Sequence, residues 1–145
     1  MSTAALLLQY QKIKSDLNYY TLQQIYYSTK QDASAAQVTR WTKKEDAWEK
    51  AFDEVMNTDS DKTKKLGGNV FHGGNEADAE RYADLKVGYT QEAIDETLLE
   101  CSEEDTRYDA MQAMFETYQE KAKQEAEAVK NQLQTSAQES NTLNQ

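Results

Sequence analysis

The chain has 145 residues, of which 38 % are hydrophobic and 29 % are charged, and its formal net charge is −10. This length suits one domain, and the low apolar content suits narrow helical seams better than a wide core. An acidic surface of this kind repels DNA, RNA and anionic lipid headgroups, so the composition argues against a nucleic-acid-binding protein. The lysines of Asp61–Lys65 are too few to reverse that charge and are typical of a solvated loop.

The N-terminal region predicts a long helix over about residues 3–56. It contains neither proline nor glycine, so no strong helix breaker interrupts it. Apolar residues recur from Leu6 in alternating steps of four and three, which is the pattern of a coiled-coil seam. The seam weakens around Gln31 and Ser34, so two helices broken near residues 28–33 are the alternative. Because the register is kept across this weak stretch, one continuous helix is favoured.

A glycine-rich loop is predicted for residues 57–75. Its last nine residues, GGNVFHGGN, hold four of the five glycines and the only histidine, His72. The loop lacks the lysine and hydroxyl residue of a phosphate-binding loop, and the acids before it lack the glycine and glutamate of a calcium loop. The remaining interpretation is a connector that reverses the chain, with Val70 and Phe71 packed against the tryptophans of the first helix. Glycine–asparagine pairs also allow a small two-turn hairpin.

Short helices are predicted for residues 76–101. Asn75 is suited to cap the first of them, and Gly88 is expected to end or kink it. The sequence SEED at residues 102–105 resembles a capping box and predicts the start of a long helix over 102–134. The last residues, 135–145, are polar and almost uncharged, which predicts a flexible tail.

Together these elements predict an all-α fold. The expected architecture is an elongated antiparallel helical hairpin or small bundle with coiled-coil-like seams, a glycine-rich connecting loop and short accessory helices. Residues 1–134 would form a single helical domain. The first long helix exceeds the last in length, so the short helices or another subunit must cover its remaining apolar face.

No sequence pattern predicts a catalytic, cofactor-binding or metal site. The acids between Glu92 and Asp109 could line a helix face with cation ligands, but no Glu-x-x-His motif accompanies them. A solvated face, or one that docks a basic partner, is the simpler interpretation. His72 has no nucleophile or second ligand near it in the sequence. Cys101 allows no internal disulfide, and its acidic neighbours disfavour a reactive thiolate.

Aromatic residues carry the strongest indication of function. Tyr19–Tyr20 and Tyr26–Tyr27 are adjacent pairs whose members point about 100° apart on a helix, so one partner helix cannot bury both. Tyrosine is also favoured at protein interfaces. The sequence therefore predicts association through the helical seams. The candidate interaction residues are Tyr10, Leu17, Tyr20, Tyr27, Trp41, Trp48, Phe52, Tyr108, Phe115 and Tyr118.

In organisation, this proline-free chain with heptads at both ends and a variable middle resembles small helical subunits of secreted filaments. Type III secretion and flagellar systems contain such subunits, and helical phage virion components are similar in plan. The resemblance rests on no shared motif, so it assigns no residue a role.

Three functions follow as expectations. The first is a non-enzymatic structural protein that forms a homo-oligomer or docks into a larger assembly through its tyrosine-rich seams. The second is a small acidic chaperone or adaptor that binds a basic protein, and the third is an enzyme or metal-binding protein that uses His72. No membrane span or classical leader is visible, which predicts a cytoplasmic protein or one exported without a cleaved signal peptide.

Overall fold

The computed structural model describes residues 2–143, with side chains up to Glu139. Three helices and one two-stranded sheet make it predominantly all-α, as predicted. The elements in chain order are α1 Thr3–Met56, β1 Thr63–Leu66, β2 Asn69–His72, α2 Glu76–Val87 and α3 Gln91–Leu143. The chain divides into two compact units. The first contains α1 up to Gln31 and α3 from Thr106 onwards, and the second is Asp32–Asp105. The single domain over residues 1–134 stays a prediction.

Helix α1 is continuous through residues 28–33, where the sequence left a break open. It starts behind an N-cap, since the Ala5 amide donates to Ser2 Oγ at 3.1 Å. Its inward positions recur every seven residues in each of the two units. The residues at these positions are Leu6, Ile13, Tyr20, Tyr27, Ser34, Trp41, Trp48 and Val55.

Helix α3 is also continuous, so the predicted helix start at residues 102–105 is wrong. The helix begins at Gln91, where Thr90 Oγ1 accepts a hydrogen bond from the Ala93 amide at 3.1 Å. Ser102 lies in its interior because the apolar seven-residue repeat runs straight across that point, and packing outweighs the local capping preference. The repeat consists of Ile94, Cys101, Tyr108, Phe115, Ala122 and Val129.

The predicted tail also differs from the structure. Helix α3 extends to Leu143, and Ser136 Oγ lies 2.7 Å from Thr3 Oγ1 at the start of α1. Residues 135–143 are therefore helical, and the last two residues of the predicted tail lie outside the described part of the chain.

The core of the first unit is a seam between α1 and α3. Leu6 and Ile13 of α1 are buried against Ala122 and Val129 of α3. The small side chain of Ala122 suits close approach of the two helices.

The core of the second unit draws on all three helices and on β2, and Leu66 of β1 packs against it. Trp48 and Val55 come from α1, Phe71 from β2, Tyr82 from α2 and Ile94 from α3. Trp48 also donates its indole N–H to Asp84 Oδ1 of α2 at 2.8 Å. This hydrogen bond satisfies the polar N–H group of a buried ring. The short segment between the long helices is thus part of this core.

The predicted glycine-rich loop contains an antiparallel hairpin. Thr63 pairs with His72 and Leu66 with Asn69, which leaves Gly67 and Gly68 as a two-residue turn. Gly67 has φ of 58°, a conformation that glycine adopts without steric cost. Because side chains alternate across a strand, Phe71 enters the core and Val70 stays exposed. The prediction that both residues pack against the first helix is right for Phe71 and wrong for Val70.

Helix α2 has the two ends that the sequence predicted. The Asn75 side chain accepts from the Asp78 amide at 2.9 Å, and Gly88 ends the helix in the left-handed conformation with φ of 87°. The Asp78 carboxylate accepts from the His72 amide at 2.7 Å, so the first turn of α2 is hydrogen-bonded to β2.

Candidate protein-interaction surfaces

An aromatic cluster lies at the centre of the first unit. Phe115 of α3 is buried, and its ring centroid lies 6.0 to 6.2 Å from those of Tyr19, Tyr20, Tyr27 and Tyr118. Edge-on and tilted arrangements predominate, which is the geometry that ring quadrupoles favour. The two helices are therefore held together here by rings whose hydroxyl groups can reach water.

Polar side chains continue the same seam on both sides of the rings. Gln24 donates to Gln119 at 2.9 Å, and Gln119 donates to Thr21 at 2.9 Å. Gln112 donates to Gln31 at 2.8 Å. These paired amides explain why the seam looks weak in the sequence: its polar positions are matched across the interface instead of being buried unpaired.

The ten predicted interaction residues all lie at contacts inside the chain. Tyr10, Leu17 and Tyr20 pack against the core of the first unit. Tyr27, Tyr108, Phe115 and Tyr118 belong to the aromatic cluster. Trp48 is in the core of the second unit, and Trp41 and Phe52 pack against it. A partner role for these residues stays a prediction.

The other members of the tyrosine pairs face outward, together with two aliphatic neighbours. Tyr19, Leu22, Ile25 and Tyr26 are each between 51 % and 57 % exposed. Tyr19, Leu22 and Ile25 follow one another at steps of three residues, and Tyr26 lies four residues after Leu22, so the four side chains lie along one side of α1. We call these four residues the outer stripe. The adjacent tyrosine pairs are the sequence signal for the outer stripe, but the predicted interaction residues Tyr20 and Tyr27 are the inward members of the pairs.

The two tyrosines of the outer stripe pack against other aromatic rings. The Tyr19 ring packs against Tyr20 and Phe115 at 5.9 and 6.1 Å, and the Tyr26 ring packs edge-on against Tyr27 at 5.1 Å. Side chains held this way lose little conformational entropy when a partner covers them.

A carboxylate with three partners lies on the surface of the second unit. Glu54 accepts from the buried Tyr82 hydroxyl at 2.6 Å and from Lys86 Nζ at 2.9 Å, and Lys64 Nζ lies 3.5 Å away. The hydrogen bonds from Lys86 and Tyr82 lower the pKa of Glu54 from 4.5 to about 2. The carboxylate thus joins the end of α1 to β1 and α2.

This depressed pKa predicts acid sensitivity of the second unit. A carboxyl group with a lower pKa in the folded state stabilises the fold above its unfolded pKa of 4.5, and this stabilisation is lost as the pH falls towards 2. We expect Glu54→Gln to cost about 1–2 kcal/mol at pH 7, less than the full shift implies because about a third of the side chain reaches solvent. Urea unfolding at several pH values would measure both effects.

Glu80→Gln is the matched control, since Glu80 is an exposed acid on α2 that forms no ion pair in the described residues. The stability difference between the Glu54 variant and the native chain should shrink between pH 4.5 and 2. A difference that stays constant over this range would contradict the prediction.

The predicted acidic face lies on α3. Glu92, Glu96 and Glu100 are exposed and form no ion pair within the described residues. Asp95 of the same helix faces Glu45 of α1, and burial together with this neighbouring carboxylate raises the pKa of Glu45. The three exposed acids recur every four residues and present one continuous negative surface, which we call the acidic face.

The remaining candidates for chemistry are not brought together. His72 is exposed, and Cys101 is buried, with the pKa of its thiol raised by burial and by Glu104 and Glu100. Within residues 2–143, no three histidine, cysteine or acidic side chains meet in a way that could hold a metal ion.

A short basic run on α1 was not among the predicted functional residues. Arg40, Lys43 and Lys44 lie within five residues of α1. The ammonium of Lys44 sits 5.5 and 4.9 Å from the ring centroids of Trp41 and Tyr89, which are themselves 4.9 Å apart. The sequence signal for this basic run is three cations within five residues, which does not show in the negative net charge of the whole chain.

The described helices lack the combination of length and apolar composition that crossing a membrane requires. No family model, no curated protein and no solved structure matches this chain.

Proposed function

We propose that this chain is a non-enzymatic structural protein that self-associates through the outer stripe of α1, as a subunit of a larger assembly of the filament-like or virion-like kind. The observation that carries the proposal is the exposure of Tyr19, Leu22, Ile25 and Tyr26 along one side of a helix whose opposite side is already packed. An apolar, tyrosine-rich surface of this kind is typical of protein interfaces.

The packing of the two tyrosines of the outer stripe adds support. The rings of Tyr19 and Tyr26 are already packed against Tyr20, Phe115 and Tyr27 before a partner binds. A partner that covers them therefore causes only a small further loss of side-chain entropy. Aromatic anchors in fixed positions are the residues that most often dominate binding energy.

The experiment is sedimentation velocity over a range of protein concentrations. We expect the double variant Leu22→Ser/Tyr26→Ser to raise the dissociation constant of self-association by about a hundredfold, because two anchors of the contact are lost. Helix content, measured by circular dichroism, should be unchanged because both side chains point away from the packed seam.

Leu85→Ser is the control, since Leu85 is an equally exposed leucine that lies on α2. This variant should associate as the native chain does. A native chain that stays monomeric at every concentration, or equal weakening by Leu85→Ser, would disprove the proposed role of the outer stripe.

A second candidate is an acidic adaptor that holds a basic protein on the acidic face. Glu92, Glu96 and Glu100 support it, since they are exposed and unpaired among the described residues. A co-purified complex that dissociates steeply with added salt would favour this function, because exposed charge contacts are screened.

A further inference from the structure

A groove of about 590 Å³ lies on the second unit between the middle of α1 and the end of α2. Four cations line it: Arg40, Lys43 and Lys44 from α1, and Lys86 from α2. No described residue of α3 lines it. On a chain of net charge −10, a concave surface lined by four cations is a local reversal of sign.

Two of these cations are available to a ligand. Arg40 and Lys43 are exposed and take part in no ion pair within the described part of the chain. Lys86 is paired with Glu54, and Lys44 lies over the rings of Trp41 and Tyr89. The groove therefore combines two fixed cations with two unpaired ones, an arrangement that attracts a negatively charged partner.

The shape of the groove suits a helix better than an extended chain. The α1 wall carries Ala36 and Ala47 at either end of the cations, and small side chains allow a second helix to approach closely. The two unpaired cations, Arg40 and Lys43, are three residues apart, so their Cα atoms are separated by about 4.5 Å along the helix axis. An occupant with carboxylates about one helical turn apart would match them.

The acidic face of α3 has such a spacing. Glu92, Glu96 and Glu100 are four residues apart, about one helical turn, and they form no ion pair among the described residues. Both surfaces are therefore present on every copy of the chain, opposite in charge and similar in spacing.

We propose that the basic groove of one copy binds the acidic face of a second copy. This inference rests on the proposed self-association and adds to it a second, electrostatic contact distinct from the outer stripe. Two copies can exchange this contact reciprocally in a closed dimer, or each copy can bind the next one head-to-tail, in which case repetition produces a ring or an open filament.

Charge reversal tests the contact in the full-length chain. The groove variant is Arg40→Glu/Lys43→Glu, and the face variant is Glu96→Lys/Glu100→Lys. At about 50 mM salt we expect each variant to raise the dissociation constant of self-association by at least about tenfold, and at about 500 mM salt by less than about threefold. Because the reversed surfaces complement each other, an equimolar mixture of the two variants should regain association.

Lys12→Glu/Lys130→Glu is the control for the groove variant, since it makes the same change in net charge as that variant, at exposed residues that form no ion pair in the described chain. Native-like association of both the groove and the face variants, with loss only in the outer-stripe variant Leu22→Ser/Tyr26→Ser, would overturn this inference and leave the proposed function standing. Loss in the groove and face variants, with the outer-stripe variant unaffected, would support the inference and disprove the outer stripe. A native chain that never associates would overturn both.

Inorganic triphosphate, titrated calorimetrically into the native chain, tests a different occupant. Binding that disappears in the groove variant, without any change in self-association, would overturn the proposed occupant and assign the groove to a small anion.

Discussion

Replacing Phe71 with alanine is expected to lower the free energy of unfolding of the second unit by about 3–5 kcal/mol, the usual cost of truncating a buried phenylalanine. The Phe71 side chain is 1 % exposed. Its ring packs edge-on against Tyr82 at 5.3 Å, and the guanidinium of Arg81 lies 5.1 Å from its centroid. Truncation leaves a cavity where α1, β2 and α2 meet. A loss of this size is a large part of the stability of a typical domain.

Urea unfolding followed by tryptophan fluorescence is the direct measurement. The chain has two tryptophans, Trp41 and Trp48, and both lie in the second unit. Fluorescence therefore reports on that unit alone, while circular dichroism follows the helices of both.

Val70→Ala is the matched control for Phe71→Ala. Val70 is the preceding residue of the same strand, and its side chain is 46 % exposed. Its replacement should change stability by less than about 1 kcal/mol, since surface substitutions have small effects. Comparable losses in the two variants would mean that the hairpin does not direct Phe71 inward and Val70 outward.

Gly73→Ala is expected to lower the stability of the same unit by about 2–3 kcal/mol through overpacking. A Cβ at this position would lie 2.1 Å from the carbonyl oxygen of Asp59 and 2.6 Å from that of Thr58. Both atoms belong to backbone, so the clash cannot be relieved by a change of rotamer. The backbone of this segment is also held in place, since the Gly73 amide donates to the Lys62 carbonyl at 3.0 Å and the Gly74 amide donates to that of Val55 at 2.9 Å.

Gly68→Ala separates this steric effect from the general effect of losing a glycine. Gly68 lies in the hairpin turn, has no positive φ, and has no atom within 4 Å of the position a Cβ would take. We expect the unfolding midpoint of the Gly68→Ala variant in urea to stay near that of the native chain. If both alanine variants were equally destabilised, the close approach between Gly73 and the backbone of Thr58 and Asp59 would not be the cause.

The long helices could be predicted from the sequence because their signals are local and repeated. The absence of helix breakers and the presence of an apolar residue every seven positions can be recognised without knowing which helix packs against the seam. Asn75 and Gly88 at the ends of α2 belong to the same class, since capping depends on residues a few positions apart. The failure at Ser102 shows the limit of such signals: a local capping pattern was outweighed by the repeat from Ile94 to Val129 that packs α3 across it.

The hairpin and its place in the core required the tertiary structure. The stretch GGNVFHGGN indicated a turn, but strand pairing depends on the backbone of Thr63–Leu66, whose lysines gave no sign of it. Alternation across the strand then decided that Phe71 is buried and Val70 is not. Periodicity could not have separated these two neighbours without the pairing register.

The candidate interaction surfaces were also predictable only in part from the sequence. The sequence by itself determined the helices, their seams and the need for one member of each tyrosine pair to face outward, because all three follow from the period of a helix. Only the tertiary structure decided that Tyr20 and Tyr27 are the inward members, that Tyr19 and Tyr26 are exposed, and that Lys86 joins the cations of α1 in one groove. These outcomes depend on which helix faces lie opposite each other, and that depends on contacts between residues far apart in the chain.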